Sequence, residues 1–314
     1  MEYSEHSEQF NYTKTMKSKF TCMAVAMLLL FSCNTSVDES NKSDWKKGKA
    51  VIAADENLRP LLLQFKQIFE NEYPEAQIDF NFQTNDSIIN AFVRGSYTSG
   101  IITRSMSAGE INNSGIVHQH KIKERIFAFS GIALVANNAF PDSVINLSQL
   151  PVYLQNASAE IIFDNASSGI ARHLMQMLKI SPTEIKKAKS VGSAESVIDY
   201  VRIKNNAIGF IPYSSISDRD NKKVVSTLNS IKLMDVKWND TTYSISQQAI
   251  AKEHYPLWQP LNFLLSGNQE PVTEAFMNFL QKGKASKILL KAGLVPANMP
   301  IREYIITDTL PVSN

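Results

Sequence analysis

From Ala50 onward the chain alternates short apolar runs, polar turns and amphipathic stretches. Ala50-Val51-Ile52-Ala53-Ala54 reads as a strand, and Asp55-Glu56-Asn57 as the cap of a helix with Leu58, Leu61, Leu62, Phe65, Ile68 and Phe69 on one face, ended by Pro74. Ile78 to Phe82 alternates like a second strand, and Asn85-Asp86-Ser87 caps a helix burying Ile88, Ile89 and Phe92. Gly100 to Thr103 is a third short strand, followed by the Ser107-x-x-Glu110 spacing of a capping box. This repeated order of strand, polar turn and helix predicts an α/β fold with a largely parallel sheet, whose ligands bind beyond the carboxyl ends of the strands.

The long apolar stretch Ile126–Val135, interrupted by Ser130 and Gly131, reads as a strand pair that crosses between two lobes. Leu147–Leu150 is a short helical turn, Pro182 opens a polar helix or loop, and Ser193 caps a helix burying Val197, Ile198 and Val201. Asn206–Ile211 is a strand. Trp238–Ile250 is strand-like and is expected to cross back. Two helices close the chain, one carrying Val272, Phe276 and Leu280, the other Ile288, Leu289 and Leu290 and ending near Gly293.

The stretch Ala159–Leu178 concentrates the chemistry. Glu160-Ile161-Ile162-Phe163 reads as a buried strand, and Ile170, Leu174, Met177 and Leu178 form one helix face. Between them, Asp164-Asn165-Ala166-Ser167-Ser168-Gly169 ends in two good N-caps and a glycine. The first amides of such a helix lack internal partners and the macrodipole adds partial positive charge, so an oxyanion can bind there. An ordinary capped helix is the alternative reading.

Composition narrows the classes. The chain has 314 residues, 44% hydrophobic and 20% charged, with a net charge of +2, which gives no bulk attraction to nucleic acid. Lys17 and Lys19 precede an apolar run from Phe20 to Phe31, and Leu30-Phe31-Ser32-Cys33 resembles a bacterial lipobox. Residues 1–33 are therefore expected to be a lipoprotein signal with Met16 as the natural start, Cys33 the lipidated residue, and 34–49 a flexible tether. Cys22 falls within the removed segment, leaving the mature domain without a thiol nucleophile or a cysteine metal site. The histidines show no metal spacing; His118 and His120 are expected to be exposed. No cofactor is implied.

Four segments, AADENLRPLLLQFKQIFENEYPEAQIDF, FDNASSGIARHL, NAIGFIPYS and GKASKILLKAGLVPANMPIR, together resemble phosphate-binding proteins of the PstS type, most of all their Bacteroidetes lipoprotein forms. The resemblance spans most of residues 50–302 and implies a two-lobe periplasmic-binding-protein fold (type II). It also implies a phosphate ligand, no catalysis, a monomer, ABC permease partners and an extracytoplasmic, lipid-anchored location. Lobe I is expected over 50–134 and 246–314, and lobe II over 135–245.

Carried onto this chain, Ser168-Gly169 match the Ser-Gly of the family's phosphate loop, and Ile170 stands where it has threonine. Asp164 replaces the loop's arginine, for which Arg172 or Arg104 could substitute; a solvated charge and a Glu110 salt bridge are their respective alternatives. Ile102-Thr103-Arg104-Ser105 lacks the family's proton-accepting aspartate. Asn57, Asp86, Ser87, Arg104, Ser105, Ser130, Ser167, Ser168, Gly169 and Arg172 are the candidate phosphate contacts. Among Glu56, Asp86 and Asp164, Asp86 is the first choice for the missing acceptor. A lipid-anchored hydrolase or an anion sensor on the same fold is the competing class. Against a hydrolase, the chain has no G-x-S-x-G elbow.

Overall fold

The computed structural model describes residues 44–298, apart from 119–121, 157–158 and 268. The signal, Cys33, most of the tether, His120 and the last residues of the expected C-terminal motif lie outside the described residues.

The chain opens with β1 (Lys47–Asp55), which begins three residues earlier than expected because Lys47-Gly48-Lys49 already pairs with Glu75-Ala76-Gln77. A single 3-10 turn, Glu56–Leu58, leads into α1 (Arg59–Glu72), which buries Leu62, Phe65 and Phe69. There follow β2 (Glu75–Gln83), α2 (Asn85–Val93), β3 (Ser99–Ile102) and α3 (Ala108–His118). At the start of α3 the Ser107 amide donates to Glu110 and the Glu110 amide to Ser107 Oγ, the expected capping box. Thr84, rather than the Asn85–Ser87 segment, occupies the N-cap position of α2, which frees the Asn85 side chain for other partners.

The expected strand pair is one strand, β4 (Lys123–Ala136). Gly131 does not break it. A Cβ there would meet Ile250 Cδ1 at 2.6 Å, so glycine lets the strand pass beneath Ile250. Next come β5 (Val144–Asn146), α4 (Leu150–Asn156), β6 (Glu160–Phe163), α5 (Gly169–Leu178), α6 (Pro182–Ile185), β7 (Lys189–Ser190), α7 (Ala194–Ile203) and β8 (Ala207–Pro212). Helix α8 (Lys222–Ser230) precedes β9 (Lys232–Trp238) and β10 (Thr241–Tyr243). These two strands pair as a hairpin turned by Asn239 and Asp240, both at positive φ, so the segment expected to cross back folds on itself and continues into α9 (Gln247–Ala251). The crossing is made instead by β11 (Trp258–Leu265); α10 (Pro271–Leu280), α11 (Gly283–Lys291) and β12 (Val295–Pro296) follow.

The strands run in the order β2-β1-β3-β11-β4-β8-β6-β7, a mixed sheet in which β1 is parallel to β2 and β3, and β6 is parallel to β7 and β8. The first part of β4 pairs with β11, and Ile132–Ala136 pairs with β8. One apolar core, with Ile52, Phe65, Phe69, Phe263 and Phe276, packs around the first part of the sheet. A second, with Leu134, Phe163, Leu174, Val197 and Phe210, packs around the other. Ile245, Ile250, Tyr255 and Leu257 belong to the second core, so the return to the first comes about a dozen residues later than the expected boundary at 245/246. The fold is α/β, as the alternation of strands and helices predicts.

Candidate functional site

Strand β6 ends at Phe163, and three residues after Asp164 the chain enters α5 through Ser168. Ser168 is the N-cap: its Oγ accepts from the Ala171 amide at 3.3 Å and the residue is 3% exposed. Gly169 lies against residues from the first half of the chain. A Cβ on it would overlap Thr103 Oγ1 and come within 3.0 Å of Asn85 Nδ2. The start of α5 is thus seated on the carboxyl end of β3 and the first residue of α2, where one amide-rich helix end meets the polar turns of the parallel strands.

Beneath it lies a polar cluster of which only Asn57 and Asp164 are among the residues singled out in the sequence. Asp55, 2% exposed, accepts from Thr103 Oγ1 at 2.7 Å, from the Asn57 amide at 3.0 Å and from Asn85 Nδ2. Burial pushes its carboxyl up to about 6, against the pull of the Thr103 hydroxyl and the Asn57 amide. Asn85 Nδ2 also reaches Thr103 Oγ1 at 2.9 Å, and Asn85 Oδ1 accepts from the Thr103 amide at 3.0 Å. The Asn57 side-chain amide donates to Asp164 Oδ2 at 2.6 Å, tying the end of β1 to the end of β6. Asp164 is 3% exposed, and its Oδ1 is buried without a partner.

The arginines are committed elsewhere. Arg104, 3% exposed, forms a fork with Glu110: Nη1 to Oε2 at 2.9 Å and Nη2 to Oε1 at 2.8 Å. Burial alone would raise the Glu110 carboxyl, but the Arg104 fork and the Ser107 amide hold it down at about 2. Arg172 is not a solvated charge: its Nε lies 2.9 and 2.8 Å from the two Asp86 oxygens, and Arg104 Nη2 approaches Asp86 Oδ1 at 3.7 Å. Asp86, the first choice for a proton acceptor, is therefore held by two guanidinium groups. Glu56 is exposed and pairs with Arg59 at 3.0 Å. A cavity of about 360 Å³ opens beside this network, lined by Asp86, Arg104, Glu110, Arg172 and Gln176 among others.

The structure thus brings Asn57, Asp86, Arg104, Ser168, Gly169 and Arg172 to one end of the sheet. It separates others from it. Ser87 is exposed and shares a hydrogen with Thr84 Oγ1 at 3.0 Å. Ser105 is exposed, its Oγ accepting from Asn262 at 3.3 Å. Ser130 is buried on β4 opposite Gln259 and reaches the Gly131 carbonyl at 3.4 Å. The Ser167 amide donates to Asn165 Oδ1 at 2.8 Å, a turn that presents Ser168 to the helix. Asp55, Asn85 and Thr103 are what residue patterns miss; the available signal is Asp55, a carboxylate ending a buried strand.

Among the described residues no group of three His, Cys, Asp or Glu could hold a metal ion, and no helix is long and apolar enough to cross a membrane.

No curated protein matches this chain in sequence. Solved structures do match in fold. A putative phosphate ABC transporter substrate-binding protein from Clostridium perfringens, with bound phosphate, is 16% identical, with 80% of this chain and 100% of that one covered and a TM-score of 0.65. An ABC-type phosphate transport receptor from Vibrio cholerae is 20% identical over 80% and 99% of the two chains, with a TM-score of 0.62. PstS from Borrelia burgdorferi is 17% identical over 80% and 99%, with a TM-score of 0.54. The family profile of the PBP superfamily domain matches residues 39–283, and the chain belongs to that superfamily.

Proposed function

We propose that this protein is a non-enzymatic solute-binding protein that captures phosphate at the N-terminus of α5 and delivers it to an ABC permease. The observation that carries the reading is the seat of α5. Its Ser168 cap and Gly169 stand against Thr103 and Asn85, so free helix amides from one half of the sheet face the strand ends of the other. That is where an α/β sheet collects its ligands, and a helix N-terminus favours an anion. The phosphate-binding descriptions of the Clostridium perfringens and Vibrio cholerae structures support phosphate as that anion. The cleft would lie between two lobes built on the two apolar cores. The lipobox-like Leu30-Phe31-Ser32-Cys33 supports an extracytoplasmic protein held to the membrane by lipid on Cys33.

Equilibrium dialysis against labelled phosphate tests the capture. Ser168→Ala is expected to weaken binding by about 1–3 kcal/mol, the cost of removing one hydrogen bond to a charged group. Unchanged affinity would remove the helix terminus from the site. Cys33→Ala is expected to release the protein from membranes, and an alanine variant that stays bound would refute the anchor. Permease and ATPase genes beside this one would favour import over sensing.

A further inference from the structure

We infer that the site accepts its oxyanion only in a form that carries no more than one negative charge and still holds a proton on the oxygen facing Asp164. The inference rests on the capture reading above and names the ligand class: a monobasic oxyanion with an O–H to give, such as dihydrogen phosphate.

The first ground is an orphaned acceptor. Asp164 Oδ1 is buried without a partner, while Oδ2 takes the Asn57 amide at 2.6 Å. A carboxylate oxygen accepts only, so a ligand at the start of α5 must bring the donor. Leaving such an oxygen unpaired, or facing it with a second bare oxygen, is unfavourable.

The second ground is charge. The charged groups at this end of the sheet are Asp55 and Glu56 at the end of β1, Asp86 on α2, Arg104 and Glu110 after β3, Asp164 after β6 and Arg172 on α5. Glu56 turns outward to Arg59. Arg104 is spent on Glu110 and Arg172 on Asp86, which leaves Asp55 and Asp164 as buried acids with no cation of their own. Asp55 has its oxygens filled by Thr103, Asn57 and Asn85, so it repels a second negative charge without offering a place for a proton from the ligand. The helix terminus supplies only about half a positive charge. A dianion would therefore be buried beside two carboxylates with too little to balance it.

The test is calorimetric titration of the full chain with inorganic phosphate from about pH 5.5 to about pH 8.5, in two buffers of different ionisation enthalpy. The expected affinity falls about tenfold per pH unit once phosphate loses its second proton, with one proton taken up per phosphate bound at the alkaline end. Asp164→Asn replaces the acceptor by an amide that donates, and is expected to flatten the profile. Affinity that is constant or tightens with pH, or binding without proton uptake, overturns the inference and leaves the capture reading standing. The absence of heat at every pH overturns both. The proton count comes from the unsubstituted protein, so a variant that fails to fold does not blunt the test.

Discussion

Gly169 rests against Thr103 so closely that no side chain fits between them. This contact joins two segments more than 60 residues apart and sets how near α5 can come to the end of β3. Gly169→Ala is expected to cost about 1–3 kcal/mol of stability, the usual penalty for overpacking, and to weaken phosphate binding by pushing the helix terminus away. Gly109 provides the control, since a Cβ there meets nothing within 4 Å. Gly109→Ala lies in helix α3 and is expected to stabilise by about 0.5–1 kcal/mol. Urea unfolding of the two variants measures the contrast.

The Asp86–Arg172 pair is expected to couple α2 to α5. Arg172 is 35% exposed along its side chain, so solvent screening keeps the pair near the weak end of the range. A double-mutant cycle with Asp86→Ala and Arg172→Ala is expected to give about 1 kcal/mol of coupling. Asp86→Ala alone should cost more than Arg172→Ala, because it also strips Arg104 of a neighbour at 3.7 Å.

Two buried groups should oppose each other in the acid range. Asp55 titrates at about 6 in the folded protein against an ordinary 3.8, so the folded state binds the proton more tightly. Its contribution is fully present below 3.8 and is lost as pH rises through about 6. Burial pushes the His173 imidazole from 6.5 down to about 4, so its contribution is present above 6.5 and is lost as pH falls towards 4. The two nearly cancel between these limits. His173→Gln should therefore make stability rise on acidification from pH 6 to 4, and Asp55→Asn should make it fall more steeply, each by up to about 3 kcal/mol. Chemical denaturation across this range, monitored by circular dichroism, gives the slopes; parallel profiles for the two variants would contradict the assignment.

Tyr255 anchors the point where β4 passes from one core to the other. Pro212, opposite Ile132, has no N–H, and the Tyr255 hydroxyl donates to the Ile132 carbonyl at 2.8 Å. Tyr255→Phe should cost about 1–3 kcal/mol with the core packing unchanged, and thermal unfolding would detect it.

Local patterns are legible in the sequence. Ser168 at the head of α5, Ser193 before α7 and the Ser107–Glu110 box are all contacts within three residues, which spacing encodes directly. Contacts between distant segments are not. Asp55 looks like a cap and does accept from the Asn57 amide, but its partners Asn85 and Thr103 lie 30 and 48 residues away. Arg172 sits on a helix face that looks solvated until Asp86 is placed opposite it. Trp238–Ile250 reads as a crossing strand because the run is β-like, yet Asn239-Asp240 turns it back at once.

The position of β11 has a consequence for how the chain is made. β3 and β4 follow one another in sequence, but β11, ending at Leu265, is slotted between them. As the polypeptide emerges from its N-terminus, the first sheet cannot close until the whole intervening half has been synthesised. A nascent chain ending before Trp258 keeps the inner edges of β3 and β4 unpaired, and is open to sticking and to proteases. The late arrival of one strand thus times the completion of the first core, and truncations that remove the last quarter of the chain should undo its beginning as well as its end.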